Sequence, residues 1–217
     1  MPRETARREE LAQAATDYVL THGLLGLSLR PLAAELGTSD RMLLYHFAGK
    51  DDLVATVLRV SNDRSVAEVR ALPPAPDVRR AVLDLWRLLA SPRLAPCQRM
   101  YVEAAALGLF GLEPYASVVR EANQVWVGAL ADHLVASGAP EALAPRAVAL
   151  LDATLMGFQL DLPLGDGEPA QEQAVQDLAD AVAAITAPAD LSGTHVARAT
   201  SAPDNWASGD LSGQGSA

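Results

Sequence analysis

Two helices too short to stand alone, joined by a tight turn, constrain this chain more than any other feature. They lie in Ser28 to Lys50, SLRPLAAELGTSDRMLLYHFAGK. Ser28 is a polar cap ahead of Leu29, Leu32, Ala33 and Leu36, whose three- and four-residue spacing puts them on one helical face. Gly37 stops that helix where a positive φ costs little. Thr38 or Ser39 then caps a second helix carrying Leu43, Leu44 and Phe47, closed by Gly49 and Lys50. Each helix is shorter than the roughly 12–15 residues at which an isolated helix becomes even marginal. They must therefore pin each other and be pinned by a neighbour. Ala33 and Gly37, four apart, let the pair approach closely, as a helix-turn-helix requires. With Leu43, Leu44 and Phe47 inward, Ser39, Asp40, Arg41, Met42, Tyr45 and His46 lie on or near the other side. Such a face suits a major groove. Arg41 can make two parallel hydrogen bonds to a guanine edge, Met42 can touch a thymine methyl, and the Tyr45 hydroxyl and Lys50 ammonium can reach phosphates.

From Leu32 to Lys50 the sequence LAAELGTSDRMLLYHFAGK resembles the signature of the TetR family of bacterial transcriptional regulators. The shared features are the LA and LG of the first helix and turn, the end of the second helix, which reads Leu43-Leu44-Tyr45-His46-Phe47 with Leu44 where the family often has Tyr, and the lysine after it. Asp40 and Arg41 differ from many members, so no operator sequence is implied. The match covers the first fifty-odd residues, and beyond them only the architecture is similar. The resemblance implies a repressor, or less often an activator, that binds a palindromic operator and releases it when a small molecule occupies the second domain. It also implies that Arg30, two residues into the first helix of the pair, contacts DNA as in some members. The alternative for Arg30 is an exposed solubilising charge.

Charge divides unevenly along the chain. The first fifty residues carry six basic and six acidic side chains, which leaves eleven basic and twenty-one acidic, and the whole net charge of −10, to the rest. A neutral head argues less for DNA than a basic one, because counterion release normally supplies much of the affinity. The acidic body is nonetheless repelled from a duplex, while Arg3, Arg7 and Arg8, on an expected frayed N-terminal arm, sit near the head. Ala and Leu dominate, which favours helix over sheet. The first twelve residues are too polar for a signal peptide and no apolar run approaches the roughly 20 residues needed to span a bilayer, so a cytoplasmic protein is expected. The single Cys97 permits no internal disulfide, in keeping with a reducing compartment.

Helical periodicity continues along the chain. A helix over 3–22 carries the stripe Leu11, Ala14, Ala15, Tyr18 and Val19 and walls the helix-turn-helix, with Leu24, Leu25 and Leu27 as a loop plug. A longer helix from Asp51 to about Leu72 ends at the proline cluster Pro73 to Pro76 and links the head to the remainder of the chain. Further helices are expected over 77–90, 96–111, 114–137, 140–162 and 168–186. Gly108 and Gly111 mark close packing or a bend. The last two helices carry apolar stripes that could self-associate into a four-helix bundle around a two-fold axis: Ala147, Leu150, Leu151, Thr154 and Phe158, then Leu178, Ala181, Val182 and Ile185. In TetR-like proteins the corresponding helices make the dimer. The alternative is that these stripes bury within their own subunit. Residues 188–217 read as a disordered tail.

No metal spacing or catalytic constellation is visible in the sequence, and no cofactor is expected. Glu103, Asp152 and Asp161 stand within very apolar stretches, where a charge normally finds a partner or ligand. Together with Trp86, Met100, Tyr101, Phe110, Trp126, Met156, Phe158 and Gln159, Glu103 and Asp152 are candidates to line an effector pocket between helices. Taken singly, each aromatic is more often core. The expected architecture is all-α: a three-helix DNA-binding domain at 1–50, a larger helical effector-binding and dimerisation domain at 51–187, and the tail. A helical enzyme using the apolar cavity, and an interaction module whose helix-turn-helix no longer binds DNA, are the alternatives.

Overall fold

The computed structural model describes residues 2–161 and 168–187. Among the described residues there are nine helices and no strand. The first four are α1 (Pro2–His22), α2 (Leu29–Glu35), α3 (Asp40–His46) and α4 (Lys50–Arg70). The remainder are α5 (Val78–Leu89), α6 (Ala95–Leu109), α7 (Tyr115–Ala136), α8 (Ala144–Asp161) and α9 (Glu168–Thr186). The turn expected at 163–167 and the tail expected at 188–217 lie outside the described residues.

Local chemistry sets the helix ends. Ser39 accepts a hydrogen bond at Oγ from the Met42 amide (3.2 Å) and caps α3, and Asp77 caps α5 through the Arg80 amide (2.7 Å). Ser28 occupies the N-cap position of α2 with extended backbone, but its hydroxyl makes no capping bond. After α2, Gly37 takes φ +62°. The Thr38 amide then reaches back to the Ala33 carbonyl (2.9 Å) and the Gly37 amide to that of Ala34 (3.2 Å), a Schellman closure. Helix α8 begins at Ala144 rather than at the expected Pro140. Starting there puts Pro145 in the first turn, where its missing N–H breaks no helical bond. Gly108 on α6 faces the α7 backbone, and a Cβ there would sit 3.2 Å from the Ala116 Cα.

Two apolar clusters form. One gathers Leu11, Ala12, Ala15 and Val19 of α1 with Leu24, Leu27, Leu32, Ala33, Leu43 and Phe47, and extends to Leu53–Leu58 of α4, Met100 and Ala104 of α6 and Val118 of α7. The other starts at Val66 and Val69 of α4 and is built from α5, α7, α8 and α9. The change from one cluster to the other thus falls inside α4. That helix packs on both α1 and α7, while α5 and α8 pack on α9. Three expected members of the head core sit elsewhere. Ala14 and Leu25 are exposed, as is Leu44. In a seven-residue helix Leu43 and Phe47, one turn apart, fill the narrow inward stripe; Leu44 falls about a hundred degrees further round.

Candidate nucleic-acid interface and ligand cavity

Helix α3 presents Ser39, Asp40, Arg41, Met42, Leu44 and Tyr45 to solvent, with Lys50 and Arg30 exposed nearby in sequence at the starts of α4 and α2. Among the described residues the side chains of Arg30, Arg41 and Lys50 form no ion pair. They are therefore available to phosphate or base acceptors. Leu44, 44% exposed, adds an apolar group beside Met42, suited to sugar or thymine methyl contact. Tyr45, 67% exposed, donates its hydroxyl to Glu4 Oε1 on α1 (3.0 Å). That bond to an acidic acceptor, together with the charge of Glu4, pushes the phenol above its ordinary range. His46 is half-buried, edge-on to Tyr45.

The N-terminal arm differs from the expected frayed one, being the start of α1. Arg7 pairs with Glu10 (3.0 Å), and Arg8 lies 5.0 Å over the Phe47 ring. From there Arg8 Nε donates to the His46 carbonyl (3.1 Å) and Nη2 to Asp52 Oδ2 (3.1 Å). Asp52 also accepts the Ala48 amide (3.0 Å). A single guanidinium thus joins α1, the end of α3 and the start of α4, and the next residues of the chain give no sign of it: its acceptors, Thr56 Oγ1 among them, lie 38, 44 and 48 positions away.

A cavity of about 70 Å³ lies among α4, α6, α7 and α8. Of the expected lining, Met100, Tyr101, Trp126, Asp152, Met156 and Gln159 are there. Trp126 Nε1 donates to Asp152 Oδ1 (2.9 Å), and the Tyr101 hydroxyl donates to Asn123 Oδ1 (2.5 Å). Burial raises the Asp152 carboxyl above the usual aspartate range, and the Trp126 bond opposes it. Burial likewise raises the Tyr101 phenol, with the charge of Asp152 adding to it against the Asn123 bond.

Four expected lining residues lie elsewhere. Trp86 and Phe158 pack edge to face (5.5 Å) against the second apolar cluster. Phe110 is 82% exposed beyond the end of α6. Glu103 instead takes both the Leu24 and Leu25 amides on Oε2, each at 2.7 Å, tying the α1–α2 loop to α6. The lining that sequence reasoning missed is chiefly Leu58, Ser61, Asn62 and Ser65 of α4 and Asn123 of α7. Those α4 positions follow a three- and four-residue spacing that mixes polar with apolar, a signal available in the sequence.

The expected dimer stripe divides into buried and outward positions. Ala147, Leu151, Leu178 and Val182 are buried within their own chain, whereas Phe158 and Ile185 pack against the same core but stay partly exposed. Helices α8 and α9 already consume these positions against α5 and α7. Leu150 and Ala181 remain outward, Thr154 is half-buried, and Ala149 and Ala153 are exposed.

Among the described residues no group of three metal-binding side chains gathers, and no helix is long and apolar enough to cross a membrane. Residues 11–57 match the family pattern of the bacterial regulatory proteins, tetR family. Solved structures share the fold across most of the chain. A transcriptional regulator from Rhodococcus sp. Rha1 is 26% identical, with a TM-score of 0.62, covering 82% of this chain and 95% of its own. The multidrug binding protein EbrR, solved with imidazole, is 27% identical, with a TM-score of 0.61, covering 85% and 97%. EbrR solved with proflavin is 26% identical, with a TM-score of 0.62, covering 81% and 99%. No curated protein sequence matches the chain significantly.

Proposed function

The N-terminal region of this chain is the DNA-binding domain of the tetR family of bacterial regulatory proteins, and from that premise we propose that the protein is a homodimeric repressor released from a palindromic operator by a small molecule. The observation that carries this reading is the exposed α3 face, with Arg41 unpaired beside Met42 and Leu44, on a helix held from behind by Leu43 and Phe47. Arg41 reads a base edge, while Lys50 and Arg30 hold the phosphate backbone. Two copies are joined through the outward residues of α8 and α9, Leu150, Thr154 and Ala181 with Ala149 and Ala153. Their recognition helices then enter major grooves about 34 Å apart, or a multiple of it.

The effector occupies the cavity. At about 70 Å³ it is far below the roughly 300–1,000 Å³ of a pocket enclosing a drug-sized ligand, so occupation must part its walls. Two of those walls, α4 and α6, also reach the head, α4 by continuity with α3 and α6 through Glu103. An effector that prefers the widened state shifts the protein toward it only by its differential affinity for the two states. EbrR, of the same fold, has been solved with imidazole and with proflavin, which supports a small-molecule site in a protein so built. The cytoplasm is where such a regulator meets its operator.

Selection from a randomised duplex library at moderate salt tests the function. The full-length protein should enrich an inverted repeat. A folded dimer that enriches nothing, with or without added small molecules, contradicts DNA reading and favours an interaction module.

A further inference from the structure

We propose that the cavity takes an organic cation, with Asp152 as its counter-charge and Trp126 and Tyr101 among its walls. The inference rests on the reading of this cavity as a ligand site and adds the class of ligand.

Charge balance comes first. Among the described residues Asp152 is the only acidic one that lines the cavity, and no Lys, Arg or His lines it. Among the same residues Asp152 forms no ion pair, and its hydrogen bond comes from the Trp126 indole, a neutral donor. A half-buried carboxylate of this kind has lost much of its hydration without gaining a positive partner. Three carboxylates elsewhere in the body do have one: Glu121 with Arg59, Glu68 with Arg93 and Asp180 with Arg79.

The ligand classes separate on that basis. An anion would bring a second negative charge against Asp152 with nothing to offset either. A neutral apolar molecule would strip the remaining water from the carboxylate and return nothing for it. A cation supplies the missing charge. The rest of the lining suits one that is weakly hydrated and largely hydrocarbon: Met100 and Met156 offer polarisable thioethers, and Trp126 and Tyr101 offer rings able to hold a cation over their faces. Neutral polar groups from Ser61, Asn62 and Asn123 remain to orient it.

The test uses an isosteric pair differing by charge alone, phenyltrimethylammonium and tert-butylbenzene, with 4-phenylbutyrate as the anion. Each is titrated calorimetrically into the full-length protein near neutral pH without DNA. The cation should bind at least about tenfold more tightly than its neutral isostere, and the anion more weakly than both. Asp152→Asn keeps an acceptor for the Trp126 indole and should remove the preference, bringing the cation down to the isostere while leaving the isostere unweakened. The wild-type ratio stands alone should the variant not fold. A wild type that prefers tert-butylbenzene or 4-phenylbutyrate, that binds none of the three, or whose preference survives Asp152→Asn, overturns the proposal. Because DNA is absent, these outcomes leave the operator selection untouched, and a failed selection leaves the cation preference untouched.

Discussion

The head and the body of this protein are made of similar Ala- and Leu-rich helices, yet one closes completely and the other keeps a gap. In the head, Leu24, Leu32, Leu43 and Phe47 are fully buried, and the perimeter is tied by Arg8 to Asp52, Arg64 to Asp17 and Glu103 to the loop amides. In the body, α5, α7, α8 and α9 share a closed core on one side, whereas α4 and α6 border the cavity on the other. Length explains the contrast. Seven-residue helices have no stability of their own and lose their only anchor if an inward residue is missing. Helices of 18 to 22 residues, such as α7 and α8, are secured along one flank and can leave another loosely filled. The head is packed throughout, and the body keeps open space between α4, α6, α7 and α8.

The comparison is broken most directly by truncating one side chain on each side. Phe47→Ala should cost about 3–5 kcal/mol in urea unfolding, as a filled core site does. Met156→Ala, on the cavity wall, should cost less than about 1.5 kcal/mol, because the space beside it is already open. Equal costs would mean that the head and the cavity do not differ in packing. A smaller effect sharpens the link between them. Glu103→Gln replaces a carboxylate that accepts two amides by a neutral acceptor and should cost about 1–2 kcal/mol. Amide exchange at Leu24 and Leu25 should accelerate while α8 keeps its protection; acceleration in α8 as well would make Glu103 a support of the whole fold.

The smallest effect concerns the uncompensated charge in the body. Burial raises the folded-state pKa of Asp152 above its ordinary value of 3.8. Its favourable contribution is therefore full below that value and is lost as the pH rises through the raised folded pKa, so at neutral pH the ionised group costs stability. Asp152→Asn should raise the melting temperature at pH 7 by roughly 1–3 °C, and the gain should shrink as the pH falls into the ordinary aspartate range. A gain that persists unchanged at low pH would trace to packing instead of charge.

The helix-turn-helix is legible in the sequence because its determinants are local. The spacing of Leu32, Ala33, Gly37, Leu43 and Phe47 states both helices, the turn and the inward face within a single short stretch. Leu44 misleads because three apolar residues in a seven-residue helix do not reveal which two the neighbour will cover. Glu103 reads as a pocket acid, since its true partners lie 79 and 78 residues earlier and are backbone amides, which leave no mark in the sequence. Asp152, Tyr101 and Trp126 stand out because polar or large groups in apolar runs signal an unusual environment. Trp86 and Phe158 show the limit of that signal: an aromatic reads alike whether it lines a cavity or fills a core. The stripes on α8 and α9 are visible, but periodicity alone does not say whether α5 and α7 or a second copy covers them.

The central claim is that the exposed face of α3 reads bases. Its most direct test is to repeat the duplex selection with Arg41→Ala and Lys50→Ala beside the wild type and compare the enriched sites. The account predicts that Arg41→Ala relaxes preference at one base position in each half-site, at a cost of about 1–3 kcal/mol there, and that Lys50→Ala keeps the same site with uniformly weaker retention. An unchanged site and affinity for Arg41→Ala would contradict it and put the reading residues on another face.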